Sequence, residues 1–255
     1  MVFNLFKNFK KKKYYKNLRI TKSIYNLINN YKHKLEIRKF KNNYKKYKKY
    51  ISTNGSDQWI IEEIFKGRKN GFFVECGAYT GAKKSNTFIL ENFFDWKGIC
   101  IESNPEYFEK LKRARKCICI KECIDGKKGT VDFLCYKTTG GIISKYTDNK
   151  KNKIEKINKM SEDHKIIKLR TKTLSQVLKE NKAPKIIEFL SLDVEGAETQ
   201  IMINFPFKDY TFLAMVIERP SKKLDQYFKT NGYSIIKKDP ENDTMYLHES
   251  VLNLN

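Results

Sequence analysis

Residues 71–102, GFFVECGAYTGAKKSNTFILENFFDWKGICIE, read as strand, tight acidic glycine turn, helix, strand and acidic end. This is the order of a nucleotide-binding half-fold. Phe72, Phe73 and Val74 form an uncharged apolar run, as a parallel strand covered on both faces requires. The run ends in Glu75-Cys76-Gly77-Ala78-Tyr79-Thr80-Gly81, where two glycines permit a sharp turn and close approach of backbone to a ligand. Phe88, Leu90, Phe93 and Phe94 then mark one side of a helix, and Gly98–Ile101 is the next strand. It closes in Glu102, 25 residues after Gly77, where an acid can take both hydroxyls of a ribose.

The dinucleotide fingerprint G-x-G-x-x-G fails on this turn. Counting from Gly77, Tyr79 and Ala82 occupy the second and third glycine places, which disfavours nicotinamide and flavin cofactors. The turn fits acid-x-Gly-x-x-x-Gly instead, with Glu75 before it and Glu102 closing the following strand. Two carboxylates flanking one nucleotide suit a ligand without phosphates. S-adenosylmethionine is such a ligand, because its sulfonium and amino group are cationic and its ribose offers two donors to Glu102. A second stretch, residues 185–198, KIIEFLSLDVEGAE, is another buried strand that leaves the sheet among Asp193, Glu195 and Glu198. Ligands of open α/β sheets bind outside the carboxyl ends of the strands, so three strands ending in acids point at one pocket.

In these motifs the chain resembles the FkbM family of S-adenosylmethionine-dependent methyltransferases. The resemblance rests on VECGAYTG, on Ser85-Asn86-Thr87 at the helix start, on WKGICIESNP, and on SLDVEGAE followed by the strand Phe212 to Glu218. It spans residues 55 to 249. It implies an α/β, Rossmann-like class I methyltransferase fold: a mostly parallel, doubly wound sheet with a C-terminal antiparallel hairpin. It also implies S-adenosylmethionine as cofactor and O-methylation of a sugar or another small hydroxylated acceptor. By the resemblance Glu75, Gly77 and Gly81 line the methionine end of the cofactor, Glu102 holds the ribose, and Asp193 faces the methyl group or the acceptor. Tyr79, Asn86 and Cys123 complete the expected cofactor set. The sequence departs from the common pattern at Tyr79, where many class I enzymes have a glycine, and at Ser103, where the family often has proline.

Methyl transfer is an in-line displacement, so the protein mainly aligns the nucleophile and excludes water. A hydroxyl acceptor must also lose its proton. Asp193 and Glu195 are the leading general-base candidates, with Glu198, Glu218 and His164 behind them. Each has a plainer reading: Asp193 can fix the cofactor amino group, Glu198 can serve the next helix, and a lone His in a polar loop is usually solvated.

The 255 residues suffice for one doubly wound core and an appendage. Net charge is +23, and the first 50 residues, with 17 Lys or Arg and the single acid Glu36, hold +16 of it. Residues 1–54 are therefore read as a basic helical arm and 55–255 as the catalytic domain. Ile24, Ile28, Tyr31 and Leu35, then Phe40, Tyr44, Tyr47 and Ile51, recur at helical spacing and are expected to share one face of a helix or helix pair. Three uses of the arm stand side by side: packing on the catalytic domain, attachment to an anionic membrane surface, and contact with nucleic acid. The charge segregation further predicts that residues 1–50 are separable from cofactor binding. No run reaches the length of a membrane span, and Met1–Phe9 is too short for a usual secretory signal. Besides a small-molecule O-methyltransferase, an RNA methyltransferase that grips RNA through the arm, and a non-catalytic interaction protein on the same fold, remain as readings.

Of six cysteines, Cys76 and Cys100 lie on strands, and Cys117, Cys119 and Cys123 follow an apolar run to Ile124 that is read as a third strand. With no C-x-x-C pair and three scattered histidines, no metal site is expected. Reduced, buried cysteines fit a reducing compartment, cytoplasmic or peripheral on the cytosolic side of a membrane. Further expectations are a helix over 105–115 opened by Pro105, a strand over Thr130–Tyr136, and a polar loop over 137–168 hinged at Gly140-Gly141 that can cover the pocket. A helix over Thr171–Asn181, a strand over Thr211–Glu218, a helix over Ser221–Thr230 and a hairpin of Gly232–Lys237 with Thr244–His248 complete the chain.

Overall fold

The apolar runs at Phe72–Cys76 (β1) and Ile186–Leu192 (β8) lie side by side in the middle of a seven-stranded sheet. The computed structural model describes residues 19–150, 154–155, 164–239 and 241–252. Beyond β1 stand β2 (Lys97–Ile101) and β3 (Ile118–Ile120); beyond β8 stand β9 (Thr211–Glu218), β11 (Asp243–His248) and β10 (Tyr233–Lys238), giving the order β10-β11-β9-β8-β1-β2-β3. The pairs β1–β2, β2–β3, β1–β8 and β8–β9 are parallel, and β11 runs antiparallel between β9 and β10. The strand order reverses between β1 and β8, and such a switch point opens a crevice at the carboxyl ends. Register places the site there: Cys76 pairs with both Ile101 and Leu192, so Gly77, Glu102 and Asp193 leave the sheet at one level.

Alternation along β1 feeds two cores. Phe73 joins Cys100, Phe189 and Ala214 on one face, with Phe88, Ile89 and Leu90 from helix α3 (Phe88–Phe93) and Leu111 from helix α4 (Pro105–Ala114). Val74 joins Ile99, Leu190 and Met215 on the other, with Leu174, Val177 and Leu178 of helix α5 (Leu174–Glu180) and Leu224 and Phe228 of helix α7 (Lys222–Thr230). Between α5 and α7 lies the short helix α6 (Glu198–Met202). Asn104 caps α4 by accepting from the Glu106 amide, with Pro105 at its first position.

A second, four-stranded sheet, β4-β7-β5-β6, corrects two expectations. The run Cys117–Ile124 is not one strand: β3 ends at Ile120, Lys121 and Glu122 carry the chain across, and Cys123–Ile124 (β4) pairs with Thr171 and Lys172 of β7 (Lys165–Lys172). Thr171 and Lys172 are strand rather than helix. The α5 helix starts only after Thr173, which caps it in a reciprocal box with Gln176. β5 (Gly129–Cys135) pairs along its whole length with β7, and with β6 (Gly141–Ile142) at its end, so the polar segment holds a strand and a short hairpin.

Among the described residues the basic arm forms the helix α1 (Arg19–Tyr47), followed by a short helix α2 (Ser56–Gln58) that continues into a wider turn over Trp59–Ile64. Buried His33 and Tyr44, with half-buried Ile37 and Phe40, form the face that meets the protein, and Ile24, Tyr31 and Leu35 are exposed. The expected single face is thus two. Tyr44 is 2% exposed and packs its ring 4.6 Å from Phe93 and 5.4 Å from Tyr50. Asp57 draws the following segment in by accepting from the Ile51 and Ser52 amides, and Asn54 donates to Asp243 at 2.9 Å. Residues 1–50 thus place Tyr44 in the core around Phe93, so the arm packs on the domain that follows it. Residues 1–18 of the arm lie outside the described residues. Among the described residues no helix is long and apolar enough to cross a membrane.

Candidate active site

A cavity of about 340 Å³ opens at the carboxyl ends of β1, β2, β8 and β9, in the size range of a small-molecule site. Its first wall is the turn after β1. The amides of Gly77 and Ala78 both donate to the Ile101 carbonyl, which bends the chain over the end of β2. Gly77 has φ +79°, and a methyl group added there would stand 1.8 Å from the carbonyl oxygen of Asp193. Only glycine fits both the conformation and the gap. Tyr79 also takes a positive φ, and its ring meets Tyr107 edge-on at 4.4 Å on the cavity wall.

Glu102 closes β2 as the sequence order requires. Its Oε2 accepts from the Tyr79 amide at 2.8 Å and its Oε1 from the Asn104 amide at 2.7 Å. The Ser103 amide also bears on this carboxylate, and with two lone pairs on each oxygen acceptor capacity remains for a donor from the cavity. Burial pushes its pKa up to about 7, against the smaller opposing effect of the backbone amides.

Behind this wall, Glu75 lines the cavity while its carboxylate binds protein groups. It accepts from Ser85 Oγ at 3.0 Å, the Asn86 amide at 2.8 Å and Thr87 Oγ1 at 2.7 Å, and pairs with Arg115 at 3.2 Å. The Arg115 guanidinium is fully buried; it also pairs with Glu91 at 2.8 Å and donates to the Gly81 carbonyl and to Thr87 Oγ1. Asn86, fixed by donation to Ser191 Oγ at 2.9 Å, lines the cavity. Cys123, at the start of β4, lines it too, with burial pushing its thiol up to about 12. Gly81 stands outside the lining: a methyl group there would meet Leu111 at 2.8 Å and Arg115 at 2.9 Å, so this glycine lets the turn press onto α4.

The second wall is the loop after β8. The Asp193 amide donates to the Cys76 carbonyl at 3.2 Å, tying this loop to the first wall. Glu195 and Gly196 both have positive φ, and the loop is pinned from within by Glu198, whose Oε1 accepts from the Val194 and Gly196 amides. Glu198 is buried, which pushes its pKa up to about 8, and lies off the cavity lining. The Asp193 side chain is open to the cavity yet sits deep in the cleft. Loss of bulk water there, and then the charges of Glu218, Glu195 and Glu198, hold its carboxyl well above the usual range.

Arg219, just past β9, faces these acids. Its guanidinium pairs with Glu218 at 2.8 Å, with Glu195 at 3.7 Å, and closely with Asp148. Oxygens of Asp148, Glu195 and Glu218 lie within 4.8 Å of one another, so the guanidinium supplies countercharge to a converging acidic set. The roof is the segment Lys137–Ile142, including Gly140 and Gly141, which lines the cavity from the second sheet. Thr53 and Asn54 line it as well. His164 does not. Arg115, Arg219, Asp148 and Tyr107 escaped the sequence reading. Arg219 alone had a signal there, as a cation directly after an acid-ended strand.

Over residues 75–235, more than half its length, the chain matches the Methyltransferase FkbM domain, and it belongs to that family. S-adenosylmethionine is accordingly its methyl donor, and the Glu102 carboxylate on the cavity wall beside the Gly77 turn suits a ribose. Comparison with curated proteins gave no match. Among solved structures it is similar to precorrin-6Y C5,15-methyltransferase from Geobacter metallireducens GS-15, at 11% identity and a TM-score of 0.42, covering 78% of this chain and 90% of that one. It is also similar to a methyltransferase from Pyrococcus furiosus, at 13% identity and a TM-score of 0.41, covering 86% and 98%. The METTL16 MTase domain is similar at 12% identity and a TM-score of 0.41, covering 76% and 66%.

Proposed function

We propose that this member of the FkbM methyltransferase family methylates a hydroxyl of a sugar or another small hydroxylated metabolite. The observation that carries the reading is the placement of Glu102 and Asp193 on two walls of one cavity, joined by the Gly77 turn. The bound cofactor supplies a methyl group activated by its sulfonium. Glu102 takes the ribose hydroxyls, Gly77 allows the backbone to approach, and Tyr79, Asn86 and Cys123 bound the remaining cofactor surface. Asp193 takes the acceptor proton, because a carboxylate whose pKa is raised by loss of bulk water is, once ionised, a better base than an ordinary one. Glu195 stands beside it as a second acid, partly neutralised by Arg219. Thr138, Thr139, Asn54 and Asn242 add hydrogen-bonding groups to the lining, which suits a polyhydroxylated acceptor.

Calorimetric titration with S-adenosylmethionine, followed by a screen of sugars and hydroxylated metabolites, tests the reading. Asp193→Asn is expected to keep cofactor affinity within a few-fold and to lower kcat by about 10²–10⁴-fold on the acceptor found. Full activity in Asp193→Asn would remove it as base. Methylation confined to RNA would replace the small-molecule reading.

A further inference from the structure

Helix α1 carries apolar residues on two opposite sides, and among the described residues only one is covered. At about 100° per residue, Ile24, Ile28, Tyr31 and Leu35 fall roughly 180° from His33, Ile37, Phe40 and Tyr44. The second set packs on the protein. On the first side Leu27 is 72% exposed and Tyr31 59%, with Ile24 and Leu35 also open to solvent. Basic side chains border this strip on both flanks. Lys34, Arg38 and Lys45 lie along one edge, Lys32, Lys39 and Lys46 along the other, and all six are exposed. The helix's one acid, Glu36, is turned toward His33 at 3.8 Å.

We infer that this outer face of α1 docks on an anionic lipid surface, with the apolar strip entering the headgroup–acyl boundary and the bordering cations reaching lipid phosphates. A helix with an apolar strip edged by Lys and Arg is the form that lies in a membrane interface, where long basic side chains extend outward to the headgroups. The charge is complementary, since the first 50 residues hold +16, and each Lys or Arg near an acidic leaflet adds to binding. Other occupants fit less well. A second copy would bring the same cations face to face. Residues 1–18 carry six lysines and no acid, so like charge opposes their covering the strip. RNA would use the cations but gains no stacking plane from Ile24, Leu27 or Leu35. A groove lined by Tyr25, Lys32, Tyr79 and Lys83 runs from α1 to the Tyr79 turn.

The test is sedimentation of the full chain with vesicles of phosphatidylcholine alone or with about one third phosphatidylserine, at roughly 0.1 M salt. Binding is expected to the mixed vesicles, to be weak on neutral ones, and to fall at high salt. The double variant Leu27→Asp, Tyr31→Asp replaces only exposed side chains; it should keep the circular dichroism spectrum and melting temperature while partition falls at least about tenfold. In Leu27→Trp, indole emission should shift to shorter wavelength on the mixed vesicles. Absence of vesicle binding, or unchanged partition in the double aspartate variant, would overturn the proposal. So would a concentration-dependent dimer, or RNA binding without vesicle binding, that the same variant abolishes.

Discussion

Arg115→Met removes a cation buried beneath the turn after β1, and the size of its effect can be worked out from its partners. The guanidinium lies 3.2 Å from Glu75 and 2.8 Å from Glu91, donates to Gly81, Ser85 and Thr87, and packs 5.3 Å from the Phe73 ring centre. Met restores much of the apolar stem but leaves two carboxylates inside the protein without their countercharge. Deleting one partner of a buried pair costs about 3–5 kcal/mol. At about 2–4 °C per kcal/mol for a chain of this size, the melting temperature should fall by roughly 6–20 °C. Urea unfolding at pH 7 reads the same loss as a lower midpoint. Adding Glu75→Gln removes one stranded charge and should return part of the stability. The penalty should also shrink as pH falls and Glu91, whose pKa burial raises, takes up a proton. A loss below about 1 kcal/mol, or a double variant no more stable than Arg115→Met, would refute the picture of a charge-balanced buried hub.

Gly77→Ala places a methyl group where the Asp193 carbonyl stands and demands a positive φ; cofactor affinity should fall at least about a hundredfold by calorimetry, and ordinary affinity would sink the cradle. Glu102 supplies a pH test with a fixed sign. Its folded pKa of about 7 exceeds the ordinary 4.5, so the folded state holds the extra proton in that window and stability falls as pH rises from 4.5 to 7. Ribose donors favour the ionised form, so cofactor affinity should rise through pH 7 and binding should release a proton, read as a buffer-dependent heat. Glu102→Gln should flatten both trends, and an unchanged pH profile would take Glu102 out of the site.

The parts of the site legible in the sequence are those whose chemistry coincides with a strand end. Glu102 and Asp193 could be placed because an acid following an apolar run must emerge at the carboxyl edge of a parallel sheet, and Gly77 because the turn between strand and helix is short. Gly81 could not be told from Gly77, since a glycine tolerating a nearby helix and one tolerating a ligand leave the same letter in the chain. Arg115 gave no signal: it follows an amphipathic helix ending in several basic residues, and only packing separates it from its solvated neighbours Lys112 and Arg113. Strand β7 was hidden because one of its faces is exposed and charged, so it reads as polar loop until β5 is laid beside it. The two faces of α1 were merged for a geometric reason. Residues 24, 28, 31 and 35 and residues 33, 37, 40 and 44 follow the same spacing, and their offset by half a turn is invisible to a search for one stripe.

On the proposed roles, cofactor side and acceptor side are built by different parts of the chain but meet through backbone. Glu102, Tyr79 and Gly77 belong to the first half-sheet, while Asp193 and Glu195 belong to the second, across the switch point. The Asp193 amide donates to Cys76, and its carbonyl occupies the space that Gly77 leaves empty, so neither wall can move without the other. With those proposed roles that contact sets the line between methyl donor and base, and misplacement by about 1 Å in such a line can cost about a hundredfold in rate. The roof from Lys137 to Ile142 has another origin, being carried on the β5–β6 hairpin of the second sheet. Under the same proposal, the donor side is held by the seven-stranded sheet and the acceptor side is bounded by a hairpin of the second sheet.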